Sequence, residues 1–168
     1  MALRVERKKK GRRRWIVGLL VLVLLVWGMN AVLYSRPASA ALAADPHTSG
    51  MALAAHLRYY LDPTTLILDL KRANVADPVD LFRGLLRAVK KADDATWIPA
   101  TVLLLRSGTP VYTIAGADIS RLAYEFSIAR NPNSVVIQLP GKLRLPGGGA
   151  LPPMQVSDAA SRWGGARP

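Results

Sequence analysis

The sequence contains no cysteine and only two histidines. Without cysteine, the chain forms no disulfide and offers no thiolate ligand to a metal. His47 and His56 lie nine residues apart, whereas a helical HExxH zinc site needs histidines four residues apart with a glutamate after the first. The sequence therefore predicts no metal site, and nothing else in it suggests a cofactor.

The motifs of several enzyme classes are also missing. The chain has neither a GxGxxG nor a Walker A phosphate loop, and no serine lies in a GxSxG motif. The glycine triplet 147–149 follows no predicted strand and opens no predicted helix, so its amides lack the geometry of a phosphate site. Asp69, Asp118 and Glu125 are the acids near predicted strand ends, and they give little support for paired-carboxylate catalysis. We therefore expect no catalytic residues.

Acidic residues are scarce, because 11 acids against 23 basic residues give a formal net charge of +12. Such an excess is one signature of nucleic-acid-binding proteins, so its distribution matters. Most of it lies in residues 1–14, where eight basic residues accompany Glu6 alone, and the other 154 residues carry only +5. A dense basic block beside a hydrophobic segment holds that end of a chain in the cytoplasm. The charge thus indicates a basic cytoplasmic head, and we expect no nucleic-acid partner.

A long apolar run, WIVGLLVLVLLVWGMNAVL, extends from Trp15 to Leu33 and contains no ionisable group. As a helix it would be about 28 Å long, close to the thickness of the hydrocarbon layer of a bilayer. We therefore predict a transmembrane helix over residues 15–34. Asn30 is expected to contact interfacial water or a neighbouring helix. The predicted membrane-anchor residues are Trp15, Trp27, Asn30 and Tyr34.

A cleaved signal peptide is the alternative to a retained anchor, because Ala38-Ser39-Ala40 fits the small-x-small pattern of a signal peptidase site. The apolar run is longer than that of a usual signal peptide, which favours the anchor. Residues 35–50 are small, polar and proline-containing, and they are interpreted as a linker. The predicted location is a bacterial-type inner (cytoplasmic) membrane, with the N-terminus cytoplasmic and the C-terminal domain periplasmic or extracellular.

Residues 51–140 are predicted to form one extracytoplasmic α/β domain. A leading helix is expected over 51–61, strands over 64–70, 100–106, 111–115 and 134–139, and further helices over 78–91 and 118–130. The strands at 100–106 and 111–115 are expected to form a hairpin. Gly84, near the apolar face of the helix at 78–91, would allow that helix to approach the sheet closely.

The predicted order after the leading helix is β-α-β-β-α-β, which is that of a ferredoxin-like α/β sandwich. A small mixed or parallel three-layer sheet is the alternative, because the run Val102–Leu105 is apolar enough to be buried on both faces. Residues 141–168 are rich in glycine and proline and are predicted to be an extended tail, either mobile or ordered against another surface.

The expected contacts with partner proteins come from the basic face of the helix at 78–91 and from the tail. The basic face is either solvated or in contact with anionic lipid or an acidic protein surface. The candidate partner contacts are Arg83, Arg87, Lys90, Leu151, Met154 and Trp163.

The path from Leu68-Asp69-Leu70 through LLRAVKKADD and ATVLLLRSGTPVYTIAGADISRL ends in the segment Gly116-Ala117-Asp118. In this order, residues 64–122 resemble the first βαβ unit of the crotonase fold and of the related membrane-anchored signal-peptide peptidases. The resemblance implies backbone N–H groups near Gly116 that form an oxyanion hole for a thioester. The chain lacks the second half of that fold, its catalytic acid and a nucleophile with a lysine base.

An anchor, a domain without catalytic residues and a long tail together indicate a non-enzymatic single-pass membrane protein. We expect it to be an accessory or scaffolding subunit of a photosynthetic, respiratory, transport or envelope complex, with the lipid bilayer and other integral-membrane subunits as partners. One alternative is a membrane-tethered crotonase-like or peptidase-like hydrolase, which needs a deep pocket beside Gly116. The other is a ligand- or peptide-binding module with the strand at 134–139 as its free edge.

Overall fold

The computed structural model describes residues 3–165, and within its first helix it describes side chains from residue 14 onward. In that range the chain forms five helices and a four-stranded mixed sheet. Apart from Arg14, the side chains of the predicted basic head, residues 1–14, lie outside the described part of the chain. So do residues 166–168 of the predicted tail.

The first helix, α1, is much longer than predicted. Its α-helical segment Leu3–Asn30 continues through a π-helical turn, Ala31–Ser35, into a second α-helical segment, Arg36–Ala43. The linker predicted for residues 35–50 is therefore wrong over its first half. Pro37 cannot donate a backbone hydrogen bond, yet it does not interrupt the helix, because the wide π turn lies immediately before it.

The four strands are β1 (Met51–Arg58), β2 (Asp62–Ala73), β3 (Thr101–Arg106) and β4 (Thr109–Ala115), and they lie in that order across the sheet. β1 pairs antiparallel with β2, β2 parallel with β3, and β3 antiparallel with β4. The predicted strands β2, β3 and β4 and the β3–β4 hairpin are confirmed. A ferredoxin-like sandwich has a fully antiparallel sheet, so the parallel β2–β3 pair makes that prediction wrong.

The remaining helices are α2 (Val79–Ala95), α3 (Gly116–Ile128), α4 (Asn133–Val136) and α5 (Val156–Gly164). Together with the second half of α1, the longer ones cover one face of the sheet, and Leu68, Leu104 and Ile114 lie in the common core. Leu103, on the other face of β3, is partly buried, while Leu105, outside the common core, is 8% exposed beside the buried Asp69 of β2. The second face of the sheet is thus covered only in part, and the expectation that Val102–Leu105 is covered on both faces holds only in part.

Two elements differ from the predicted order. Residues 51–58 form β1 instead of a helix, because Met51, Leu53 and Ala55 alternate inward once the segment pairs with β2. Residues 134–139 are not a strand, since the short helix α4 begins after Pro132. The order after α1 is therefore β-β-α-β-β-α-α-α.

Helix α2 approaches its neighbours closely at Gly84, as predicted. A Cβ atom there would lie 2.6 Å from Met51 Sδ and 2.9 Å from Leu42 Cδ2. Both distances are shorter than van der Waals contact, so a side chain at this position would push α2 away from α1 and β1.

The predicted extended tail is ordered against its own domain. Arg144 pairs with Thr113 on the outer edge of β4 through backbone hydrogen bonds of 2.8 and 2.9 Å. Helix α5 then returns to the core, where Trp163 is fully buried and donates its indole N–H to the Leu105 carbonyl at 3.0 Å. The Trp163 ring also stacks on Phe82. The tail therefore completes the core.

Candidate membrane-interface site

The first half of α1 extends away from the domain with its apolar side chains exposed. Between Trp15 and Met29, every residue except Val26 and Gly28 is exposed, and Trp15 retains 83% of its accessible surface. A contiguous apolar surface of this extent marks contact with a membrane or another protein. The helical segment Arg14–Ala43 is long and apolar enough to cross a membrane.

The second half of the same helix is part of the domain core. Its buried residues, Asn30, Tyr34, Ala38 and Leu42, are each four positions apart. Four residues of α-helix turn about 40° beyond one full rotation, so a purely α-helical stripe with this spacing would drift around the helix. The π turn at residues 31–35 rotates less per residue and reduces this drift. The four side chains can therefore face the same domain.

Asn30 joins α1 to the domain through its side-chain amide. The Oδ1 atom accepts the Leu57 backbone N–H at 2.8 Å, and Nδ2 donates to the Tyr60 carbonyl at 3.0 Å and to the Val26 carbonyl at 3.0 Å. Asn30 is 4% exposed. It therefore bonds within its own chain, rather than to interfacial water or a neighbouring helix as expected from the sequence.

Ser35 forms a second polar contact along the free edge of β1. Its hydroxyl donates to the Ala55 carbonyl at 2.6 Å and accepts the Ala55 N–H at 3.3 Å. Exposed strand edges attract further strands, and natural proteins commonly cover them. Here α1 covers one edge of the sheet at Leu57 and Ala55, while Arg144 covers part of the other. The edge that the peptide-binding alternative placed at residues 134–139 is not a strand.

The turn between β1 and β2 lies beside Asn30 and exposes three large side chains. Tyr59 is 74% exposed, Leu61 is 71% exposed and Tyr60 is 38% exposed. Tyr59 and Tyr60 adopt left-handed φ angles of 51° and 61°. Asp62 ends the turn, and hydrogen bonds from the Thr64 hydroxyl and backbone N–H lower the pKa of its carboxyl below the usual value.

A further exposed aromatic side chain, Trp97, packs against α1 one helical turn beyond Asn30. Trp97, after the end of α2, is 49% exposed, and its ring packs edge-on against Tyr34 with 6.4 Å between centroids. Tyr34 itself is fully buried. Of the predicted anchor residues, Trp15 and Trp27 are thus exposed, whereas Asn30 and Tyr34 face the domain.

The predicted basic face of α2 is largely neutralised within the chain. Three of its cations pair with acids of the same domain, the pairs being Arg83 with Asp80, Arg87 with Asp45, and Lys90 with Asp94. Arg83 also donates to the Asn133 side chain at 2.7 Å. Such pairing reduces the net charge that α2 could present to lipid or to an acidic protein.

The predicted partner contacts in the tail are also engaged. Trp163 belongs to the core and is not available to a partner, so its expected role as an external anchor is wrong. Leu151 and Met154 are partly buried against the core. They line an open groove of about 550 Å³ with Asp118, Lys142 and Arg144.

The groove beside Asp118 differs from the site implied by the crotonase resemblance. The Gly116 N–H donates to the Ala100 carbonyl at 2.7 Å, so this amide is engaged within the fold. The side chains that line the groove include no serine and no histidine. In the described part of the chain, no three histidine, aspartate or glutamate side chains are grouped as metal ligands.

Comparison of the chain with protein-family models, with curated proteins and with solved structures gives no match. Function must therefore be inferred from the junction between α1 and the domain. Sequence reasoning missed the turn residues Tyr59, Tyr60 and Leu61 and the role of Ser35. The available signal is the aromatic pair shortly before Asp62-Pro63, in a segment interpreted as a helix.

Proposed function

We propose that this protein is a non-enzymatic, single-pass membrane protein that holds a small α/β domain at the bilayer surface as an accessory or scaffolding subunit of a larger membrane complex. The observation that carries the proposal is that one unbroken helix supplies both the exposed apolar segment and part of the domain core. A domain joined in this way has a fixed height and orientation relative to the segment, which suits a part that positions other subunits.

The proposed topology places the N-terminus in the cytoplasm and the domain on the periplasmic side of a bacterial-type inner membrane. The eight basic residues of the head support this orientation through the positive-inside rule. Retention of the anchor is supported by burial, because cleavage after Ala40 would remove Tyr34 and Ala38 from the core and leave the edge of β1 without Ser35.

The exposed flank of α1 is the surface proposed to contact a partner subunit. Lipid or a second transmembrane helix could cover its leucine and valine side chains, and only a helix would make the contact specific. A Cβ atom added at Gly18 or Gly28 would have no neighbouring atom within 4 Å, so a partner helix could approach closely there.

Photo-crosslinking in native membranes tests this proposal. A photoreactive residue at Leu24, which is 64% exposed, is expected to crosslink one defined polypeptide, and mild detergent extraction should yield a species larger than the monomer. The same residue at Tyr34 is the control, since its crosslinks should remain within the chain. A monomer whose Leu24 probe reacts only with lipid would contradict the proposed subunit role.

Cysteine accessibility tests the orientation. Because the chain has no cysteine, Ser107→Cys in the exposed β3–β4 turn gives a single reactive thiol. An impermeant maleimide should label it from the periplasmic side of intact cells whose outer membrane has been permeabilised. Labelling only after the inner membrane is opened would contradict the orientation. Mass spectrometry of the same sample should find the N-terminal residues of the anchor still attached.

A further inference from the structure

We propose that the β1–β2 turn, Tyr59-Tyr60-Leu61, together with Trp97, forms a second membrane contact that inserts into the headgroup layer of the leaflet from which α1 emerges. This inference rests on the proposed transmembrane placement of α1. It adds a lipid-binding surface on the domain itself, separate from the helix.

The height of the turn along α1 is the first argument. The bonds from Asn30 to Leu57 and Tyr60 hold the turn at the level of Asn30. With Trp15 at one boundary, Asn30 lies about 22 Å and Tyr34 about 28 Å along the helix, near the far boundary of a hydrocarbon layer about 30 Å thick. Trp97, packed on Tyr34, lies at the same boundary. All four exposed side chains thus lie at, or within about 8 Å of, the level where acyl chains give way to headgroups.

The chemistry of these side chains is the second argument. Tyrosine and tryptophan favour the headgroup layer, where the ring contacts acyl chains and the polar group remains hydrated. Tyr59 and Leu61 are the two most exposed large hydrophobic residues outside the apolar segment of α1 in the described part of the chain. Arg58 lies over the Tyr59 ring, with its Cζ 5.0 Å from the centroid. It could therefore bind a lipid phosphate beside the inserted ring.

Backbone strain in the turn is the third argument. Left-handed φ angles are ordinary for glycine and asparagine and are uncommon for bulky residues. This turn has tyrosine at both of its left-handed positions. The His56 ring stacks on Tyr60 with 4.6 Å between centroids, which orients that ring. A turn that served only to reverse the chain would not need aromatic residues there, so the strain accompanies their exposure.

Depth measurements with single cysteines test the inference. Leu61→Cys, Leu22→Cys and Ser107→Cys are each labelled with an environment-sensitive fluorophore in the full chain, which is reconstituted into vesicles of phosphatidylcholine and phosphatidylglycerol. Ser107 is the matched control, because it lies in an exposed turn with a left-handed φ of 49° at the opposite end of the sheet. Leu22 reports insertion of α1. Lipids brominated near the top of the acyl chain serve as quenchers.

The expected result is that brominated lipid quenches the Leu61 label several-fold more than the Ser107 label. Equal, weak quenching at Leu61 and Ser107 beside strong quenching at Leu22 would overturn the docking inference and leave the transmembrane helix in place. If the Leu61 label emits as in an apolar environment but is not quenched by brominated lipid, the turn contacts protein, and the docking inference is also overturned. Absence of quenching at Leu22 would contradict the proposed function itself.

Discussion

The two halves of α1 are continuous in the chain and opposite in environment. Residues 15–29 expose nearly every apolar side chain, whereas Asn30, Tyr34, Ala38 and Leu42 are buried in the domain. The difference comes from a few polar and small residues. Asn30 and Ser35 match the free backbone groups of β1, and Ala38 allows close packing. Hydropathy identifies an apolar helix, but it does not tell which part of that helix packs against the domain. Asn30, Ser35 and Ala38 decide this.

The largest expected effect is a loss of domain stability, and it is tested by replacing one leucine in each half of α1. Leu42→Ala should lower the free energy of unfolding of the domain by about 2–5 kcal/mol, because it leaves a cavity beside Gly84. Leu22→Ala, at a site that is 57% exposed, should leave it unchanged. Thermal unfolding of the full chain in detergent, followed by circular dichroism, measures both. Equal losses of stability in the two variants would contradict the conclusion that only the second half of α1 belongs to the domain core.

Asn30→Ala should have the next largest effect, lowering the free energy of unfolding by about 2 kcal/mol, since it leaves the Leu57 N–H and the Tyr60 carbonyl without their partner. Hydrogen exchange should accelerate most in the peptide that contains β1 and its turn. Met29→Ala, at the adjacent exposed position, is the control. An unchanged exchange rate of the Leu57 amide in the Asn30 variant would show that the Asn30 side chain does not hold α1 against β1.

Arg87→Met tests how the end of α1 is held. Arg87 pairs with Asp45, two residues beyond the helix, and lies over the Phe126 ring. Both charged groups are partly exposed, so we expect a loss of about 1 kcal/mol that shrinks as salt is added. Arg36→Met, on the exposed side of α1, should change the unfolding midpoint less. A salt-independent loss in the Arg87 variant would point to lost packing instead of the ion pair.

Tyr34→Phe should have the smallest effect and the opposite sign. The Tyr34 hydroxyl is buried beside Thr96 but has no hydrogen bond of acceptable geometry within the described residues. Removing an unsatisfied buried hydroxyl should therefore raise the free energy of unfolding by up to about 1 kcal/mol, while the ring contact with Trp97 remains. A clear loss of stability would mean that the hydroxyl has a partner.

The elements predicted correctly are those whose local signals agree with their tertiary role. In α2, Asp77 and Pro78 precede a strongly one-sided apolar helix, and β3 is a nearly continuous apolar run. The segment MALAAHLRYYL fits both a helical and an alternating pattern, so only pairing with β2 decides it. The glycine and proline residues around α5 obscure its short apolar spacing, which is why the tail resembles an extended segment.

The candidate site is harder to predict, because it depends on contacts between distant residues. Asn30 and Tyr60 are 30 positions apart, and no local pattern indicates their hydrogen bond. The aromatic pair of the turn is visible in the sequence, but its position beside the end of the apolar run is not. The basic face of α2 is likewise evident from spacing, yet one of the acids that neutralise it, Asp45, comes from a distant segment.

Because α1 runs unbroken from the candidate membrane-spanning segment into the domain core, a tilt of the helix also tilts the domain. Asn30 bonds Leu57, whose partner on β2 is Leu66, and the β3–β4 turn lies beside Leu70, four residues or about 13 Å further along β2. If α1 tilts by about 20°, a common value for transmembrane helices, this end of the domain moves sideways by about 4 Å. If α1 spans a bilayer, the thickness of that bilayer would thus set how far this end of the domain is displaced.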